Sequence, residues 1–143
     1  MHETDHSPPL PNPQELLAAY EKAFTTLKDD PSAAAEQDWI RASDALKAAV
    51  LLLPGRFPLG QIVATPGALT ALERAEHLPA EFLLRHKSGD WGELDPDDLQ
   101  VNEEALQHCG RIVSVYQTRL QDSLWLITDA GWEVTTLLLP EEY

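Results

Sequence analysis

Seven carboxylates fall within fifteen residues, at Asp90, Glu93, Asp95, Asp97, Asp98, Glu103 and Glu104, and no lysine or arginine interrupts them. Such a cluster can ligate a hard cation, share a proton or face a basic partner. Calcium ligation by an EF-hand loop fails on spacing. A loop starting at Asp90 puts Asp95 and Pro96 where a glycine and a carbonyl-presenting residue are required. Helix capping accounts for part of the run, since acids in a first turn stabilise a helix by about 0.3–1 kcal/mol each. Seven acids exceed that need. The surplus, joined by Glu141 and Glu142, predicts an acidic face that keeps the chain soluble or engages a basic protein surface. Rows of carboxylates can also imitate the phosphates of a nucleic acid and so occupy a groove built to hold one.

The histidines offer acid–base chemistry. His86 stands beside Arg85, Asp90 and Trp91, and an imidazole titrates near neutral pH. The competing reading makes Arg85 and His86 ordinary cations at a helix C-terminus. Trp91, between Gly89 and Gly92, is then an aromatic plug that fixes a turn. No metal site is expected, because His2, His6, His77, His86 and the His108-Cys109 pair lack ligand spacing. Ser88, His86 and Asp90 carry no nucleophile-elbow motif. No glycine-rich phosphate loop occurs. Cys109 reads as a small core residue, and Arg111, Tyr116 and Trp125 read as strand-surface pairs. No cofactor is implied.

The elements that position these residues follow from punctuation and period. Residues 1–12 predict a flexible tail, with Pro8, Pro9 and Pro11 blocking regular structure. Residues 13–55 predict a helical hairpin. Asn12 caps its first helix, which carries Leu16, Tyr20, Phe24 and Leu27 at helical spacing. Asp30 and Pro31 open the second, whose stripe is Ala35, Trp39, Ala42, Leu46, Val50 and Leu53. Residues 59–143 predict an α+β domain. A short strand covers 61–65, and helices run to Ala75, from Pro79 to Lys87 and from Asp95 to about His108, with Gly110 at C′. Runs at 111–119, 123–128 and 133–139, rich in β-branched and aromatic residues, form a three-stranded meander. The fold class is therefore α+β, helices packed on a small antiparallel sheet.

Composition narrows the function classes. Twenty-four acids against ten bases give a formal charge of −14, and 43% of the 143 residues are hydrophobic. Direct binding to nucleic acid or an anionic membrane is disfavoured. A single cysteine excludes a disulfide framework and suits a reducing cytoplasm. The first thirteen residues do not have the pattern of a secretory signal. The longest apolar run, Ala48 to Leu53, is far too short for a bilayer.

The stretches GQIVATPGAL (Gly60–Leu69), FLLRHKSGDWGELDPDD (Phe82–Asp98), Asn102 with Ala105-Leu106, GRIVSVY (Gly110–Tyr116), LWLIT (Leu124–Thr128) and TTLLLPEEY (Thr135–Tyr143) occur in order. Residues 59–143 thereby resemble a family of small uncharacterised bacterial proteins carried by plasmids and other mobile elements. Some of its members are labelled plasmid-related protein or type I restriction subunit. Its members carry an acidic-Ala-Asp-Arg-Ser stretch where this chain has Asp129-Ala130-Gly131-Trp132-Glu133. The resemblance implies a compact α+β domain in a mobile-element setting and no established chemistry. Together with the acidic face, it gives the expectation of a non-enzymatic inhibitor of a host nucleic-acid-binding defence complex, of anti-CRISPR or anti-restriction type. The alternatives are a small hydrolase or nuclease-like toxin centred on His86, Asp90 and Arg111, and an antitoxin-like regulator.

Overall fold

The computed structural model describes residues 11–143, so the predicted tail lies almost wholly outside the described residues, as do His2 and His6. Two compact units divide at Leu46/Lys47.

The first unit holds α1 (Pro13–Asp29) and the start of α2 (Ala33–Leu52). Asn12 caps α1, its side chain accepting from the Gln14 N–H at 2.7 Å, with Pro13 at the first helical position. The second cap differs from expectation. Ser32, not Asp30, caps α2, its hydroxyl accepting from Ala35 N at 3.1 Å. Asp30-Pro31 is therefore connection rather than first turn. Tyr20 on α1 and Ala35, Ser43 and Leu46 on α2 are buried.

The second unit begins with the last turns of α2. The Lys87 ammonium donates to the Val50 carbonyl at 2.8 Å, and Arg56 N donates to Lys87 O at 2.9 Å. A four-stranded sheet follows, in the order β1 (Gln61–Ala64), β4 (Val134–Leu138), β3 (Ser123–Thr128), β2 (Ile112–Gln117). The meander β2-β3-β4 is antiparallel, but β1 joins β4 in parallel, so the sheet is mixed rather than antiparallel. A parallel partner needs a crossover, and α3 (Pro66–Arg74), α4 (Pro79–Lys87), α5 (Pro96–Ala105) and the rest of the meander all lie between them in sequence. A 3₁₀ turn, Pro140–Glu142, ends the chain.

Each of α3, α4 and α5 opens with proline at its first position, where the missing N–H costs no hydrogen bond. Helix α5 ends at Ala105, three residues before the predicted end. Gly110 N donates back to Ala105 O at 2.9 Å, and Cys109 takes the left-handed position with φ 58°. Gly110 is thus one place beyond C′. Cys109 is exposed, which corrects its expected core placement.

Alternation sorts the strands into two faces. Ile112, Thr128 and Thr135 form one buried row and Ser114, Leu126 and Leu137 the next. Strand β2 lies at the sheet edge, yet the outward backbone groups of Val113 and Val115 are occupied. The Asn102 side chain donates to Val113 O at 2.7 Å and accepts from Val113 N at 3.1 Å. Val115 exchanges hydrogen bonds with Trp91 O and Glu93 N. Burying such an edge without partners costs about 1–3 kcal/mol per orphaned group. Asn102→Ala removes the partner of both Val113 groups, and the expected outcome is a loss of about 2–4 kcal/mol in urea unfolding, with an unchanged m-value.

Candidate functional site

The segment from Lys87 to Glu104 brings together most of the residues singled out by sequence, and each has a separate task. The turn after α4 is closed by Asp90, whose carboxylate accepts from Gly92 N at 3.1 Å and pairs with Arg85 Nε at 2.7 Å. Gly92 has φ 73°, and a Cβ there would run into the Val115 carbonyl, so only glycine permits this approach to β2. Between them Trp91 turns inward and is 4% exposed. Its indole lies 6.0 Å from the Phe57 ring and 6.0 Å from the His86 ring. The Tyr116 hydroxyl donates to Asp90 O at 2.5 Å, tying the turn to the strand beneath it.

His86 is not a helix-end cation. Its ring is 0% exposed, and burial pushes its pKa down to about 3. Nδ1 lies 2.5 Å from the Ser114 hydroxyl and Nε2 lies 2.9 Å from the Thr128 hydroxyl. Thr128 is 2.7 Å from Thr135, whose own hydroxyl donates to the Leu59 carbonyl at 2.6 Å. The end of this chain sets its direction. A carbonyl only accepts, so the single Thr135 proton is spent on Leu59, and Thr128 must donate to Thr135. Thr128 then has no proton left for the ring, so Nε2 carries the hydrogen and Nδ1 accepts from Ser114. The neutral imidazole satisfies every partner. A protonated ring would bring a second N–H against Ser114, with Phe57 edge-on at 5.1 Å and no carboxylate among its hydrogen-bond partners.

The catalytic trio proposed from sequence is not assembled as one network. Both His86 nitrogens are engaged in the core, Asp90 serves Arg85 and its own turn, and Arg111 donates to the Tyr143 hydroxyl at 2.6 Å. Arg111 and Tyr116 also differ in environment. Tyr116 is buried with the inward row, whereas Arg111 is exposed.

The acidic residues divide into those held by a cation or by several donors and those without a basic partner, of which Glu104 accepts from Gln100 Nε2 at 3.3 Å. Arg56 grips Glu103 through two hydrogen bonds of 2.9 and 2.7 Å, which hold that carboxyl below the usual carboxylate range. The same guanidinium lies over the Trp91 ring at 5.8 Å. Glu142 accepts from the Thr65 hydroxyl at 2.5 Å, from Leu139 N at 2.9 Å and from Gly67 N at 3.2 Å, and these bonds lower its pKa. By contrast Glu93, Asp95, Asp97, Asp98, Glu104 and Glu141 are exposed, and among the described residues none has a basic partner within 4.0 Å. Asp95 occupies the N-cap position of α5 yet makes no side-chain capping bond.

Sequence reasoning missed Arg56, Ser114, Thr128 and Thr135. Helical period held a signal for His86, which lies three residues after Leu83 and four after Phe82, both buried. Among the described residues no group of three His, Cys, Asp or Glu side chains is placed to hold a metal. No described helix is long and apolar enough to cross a membrane. No family model, no curated protein and no solved structure matches the chain.

Two outcomes follow from this geometry. The unfolded imidazole titrates near 6.5 and the folded one near 3. Between those values the unfolded chain binds a proton that the folded chain does not, so stability is complete above pH 6.5 and falls as pH drops. The expected slope from this group is about 1.4 kcal/mol per pH unit. Denaturant titrations from pH 7 to 5 should show it in the wild type and not in a His86→Gln variant. Truncating Trp91 to alanine should lower stability by about 3–5 kcal/mol, read from chemical denaturation, because it empties a site lined by Phe57 and His86.

Proposed function

We propose that this chain is a non-enzymatic, acidic protein-binding module of a mobile genetic element, working in the bacterial cytoplasm. Its partner on this reading is a protein with a basic nucleic-acid groove, and the outcome of binding is inhibition of a host defence complex of anti-CRISPR or anti-restriction type. One observation carries the reading. Around α5 five carboxylates, those of Glu93, Asp95, Asp97, Asp98 and Glu104, are exposed without basic partners, while Asp90 and Glu103 in the same stretch are paired. Folding therefore pairs two of the seven with arginines, Glu104 accepts only from the neutral Gln100 side chain at 3.3 Å, and the charge of these five stays available to another molecule. Like charges held close together cost free energy that a basic groove would relieve, and complementary charge speeds encounter. The resemblance of residues 59–143 to mobile-element proteins supports the setting.

The test reverses only free carboxylates. A Glu93→Lys, Asp95→Lys, Glu104→Lys variant leaves the pairs of Asp90 and Glu103 intact and should keep the wild-type melting curve. Wild-type protein immobilised on beads is expected to retain a nucleic-acid-binding complex from its host, release it on addition of competing duplex, and hold it less well as salt rises. The triple variant should retain none. A folded triple variant that binds as the wild type does, or capture insensitive to both salt and duplex, overturns the proposal.

A further inference from the structure

Beside α5 lies a cleft of about 330 Å³ that shares one residue, Asp98, with the free acidic rim. Such a volume sits at the small end of ligand sites, which run from roughly 300 to 1,000 Å³. Its walls are Leu94 and Val101, and its floor is Val113, Val115 and Trp125. The floor exists because the odd-numbered residues of β2 face away from the buried rows, and Val115 is in register with Trp125 on β3. Asn102 holds α5 to Val113, which keeps the wall at a fixed height above the strand. Val101 remains 57% exposed, and Leu99 on the same helix is exposed as well.

Two opposite charges share this cleft. Asp98 comes from α5, one turn before Val101 and Asn102, and Arg111 comes from the start of β2. They do not meet, since no ion pair within 4.0 Å joins them, and among the described residues neither pairs with any other ionised group. Arg111 is not loose, however. Tyr143 accepts from Nη2 at 2.6 Å, its ring lies 5.2 Å from the guanidinium carbon, and it packs 5.6 Å from Trp125. That contact orients the guanidinium while leaving other donors of its fork unused.

We infer that the cleft is a binding site for a zwitterionic apolar ligand, an α-amino acid with an aromatic side chain. Arg111 receives the carboxylate, Asp98 receives the ammonium, and the side chain lies on Val113, Val115 and Trp125 under Val101. Charge complementarity selects this class over its neighbours. A simple aromatic acid meets Arg111 but brings its charge against Asp98 in a chain of net charge −14. A simple aromatic amine satisfies Asp98 and leaves Arg111 facing a cation. Only a ligand with both charges leaves neither residue opposed. The inference does not depend on the proposed partner, because the cleft is tested with small molecules alone.

The experiment is saturation-transfer NMR and calorimetry on the full chain with three probes, L-phenylalanine, 3-phenylpropionate and 2-phenylethylamine. L-phenylalanine is expected to bind saturably with one site and to quench tryptophan fluorescence, and each singly charged probe to bind at least tenfold more weakly. Asp98→Asn and Arg111→Gln, both exposed and remote from the core network, should each weaken L-phenylalanine about tenfold while leaving the melting curve unchanged. Val115→Lys, which fills the floor, should abolish binding. If this variant fails to fold, Val101→Lys on the opposite wall gives the same readout. No binding of L-phenylalanine at 10 mM (about 2.7 kcal/mol of affinity) to folded wild-type protein overturns the inference. Equal binding of all three probes, or unchanged binding by both charge variants, overturns it equally.

Discussion

A neutral imidazole buried among hydroxyls holds the second unit in register. His86 reaches from α4 to β2 through Ser114 and to β3 through Thr128, and Thr135 carries the chain on to β4 and to the Leu59 carbonyl just before β1. One continuous line of hydrogen bonds therefore touches every strand or its threshold. Polar groups in a core cost several kcal/mol when unpaired and little when paired, so the line tolerates few alternative registers. A slip of one residue in β3 would turn Thr128 outward and leave Nε2 without an acceptor. Hydrophobic packing by Leu84, Ile112, Leu124, Leu126 and Leu137 supplies cohesion around it. The polar line supplies uniqueness.

That same constraint explains what could be read in the sequence. Elements with local causes were legible: Asn12-Pro13 before α1, Pro79 at the start of α4, and the β-branched runs of the meander all act within a few residues. The acidic stretch was also legible as a surplus, though not as a division into engaged and free members. Glu103 is held by Arg56, 47 residues away, and Glu142 by Thr65, 77 residues away, and nothing local announces either pairing. The parallel β1–β4 pairing failed for the same reason, since four residues carry no mark of the partner they will find. His86 was misread because its neighbours Arg85 and Lys87 are cations at a helix end, and the charge pattern outweighed the period that groups it with Phe82 and Leu83. Cys109 was misread because the left-handed position after α5 falls on it rather than on the neighbouring Gly110, and there its side chain is exposed.

The two faces of the sheet have been given different work. On the buried face each polar side chain of the His86 line has its partner, and no ring nitrogen or hydroxyl of that line remains for a substrate. Chemistry suggested by Arg85, His86, Asp90 and Trp91 as a list dissolves once their directions are known. Consecutive positions on a helix diverge by about 100°, so neighbours in sequence are seldom neighbours around a reacting atom. Arg85 lies over the Tyr116 ring at 4.3 Å while His86 points into the core, although their backbones are adjacent.

Groups left with unspent capacity lie elsewhere, and they share one physical origin. Helix α5 is anchored to β2 by a single amide side chain, that of Asn102, together with the backbone bridge at Trp91 and Glu93. Even so, most of the ten residues of this helix remain exposed. Asp97, Asp98, Val101 and Glu104 are among them, and Asp95 and Glu93 lie in the strap that leads into the helix. A helix serving only to cover an edge strand would be expected to lay an apolar stripe on the sheet, and α5 instead buries only Asn102 and Ala105. A second tie is at the surface, where Arg56 holds Glu103 through two hydrogen bonds, so α5 is fixed by Asn102 toward β2 and by Glu103 toward the stretch that follows α2.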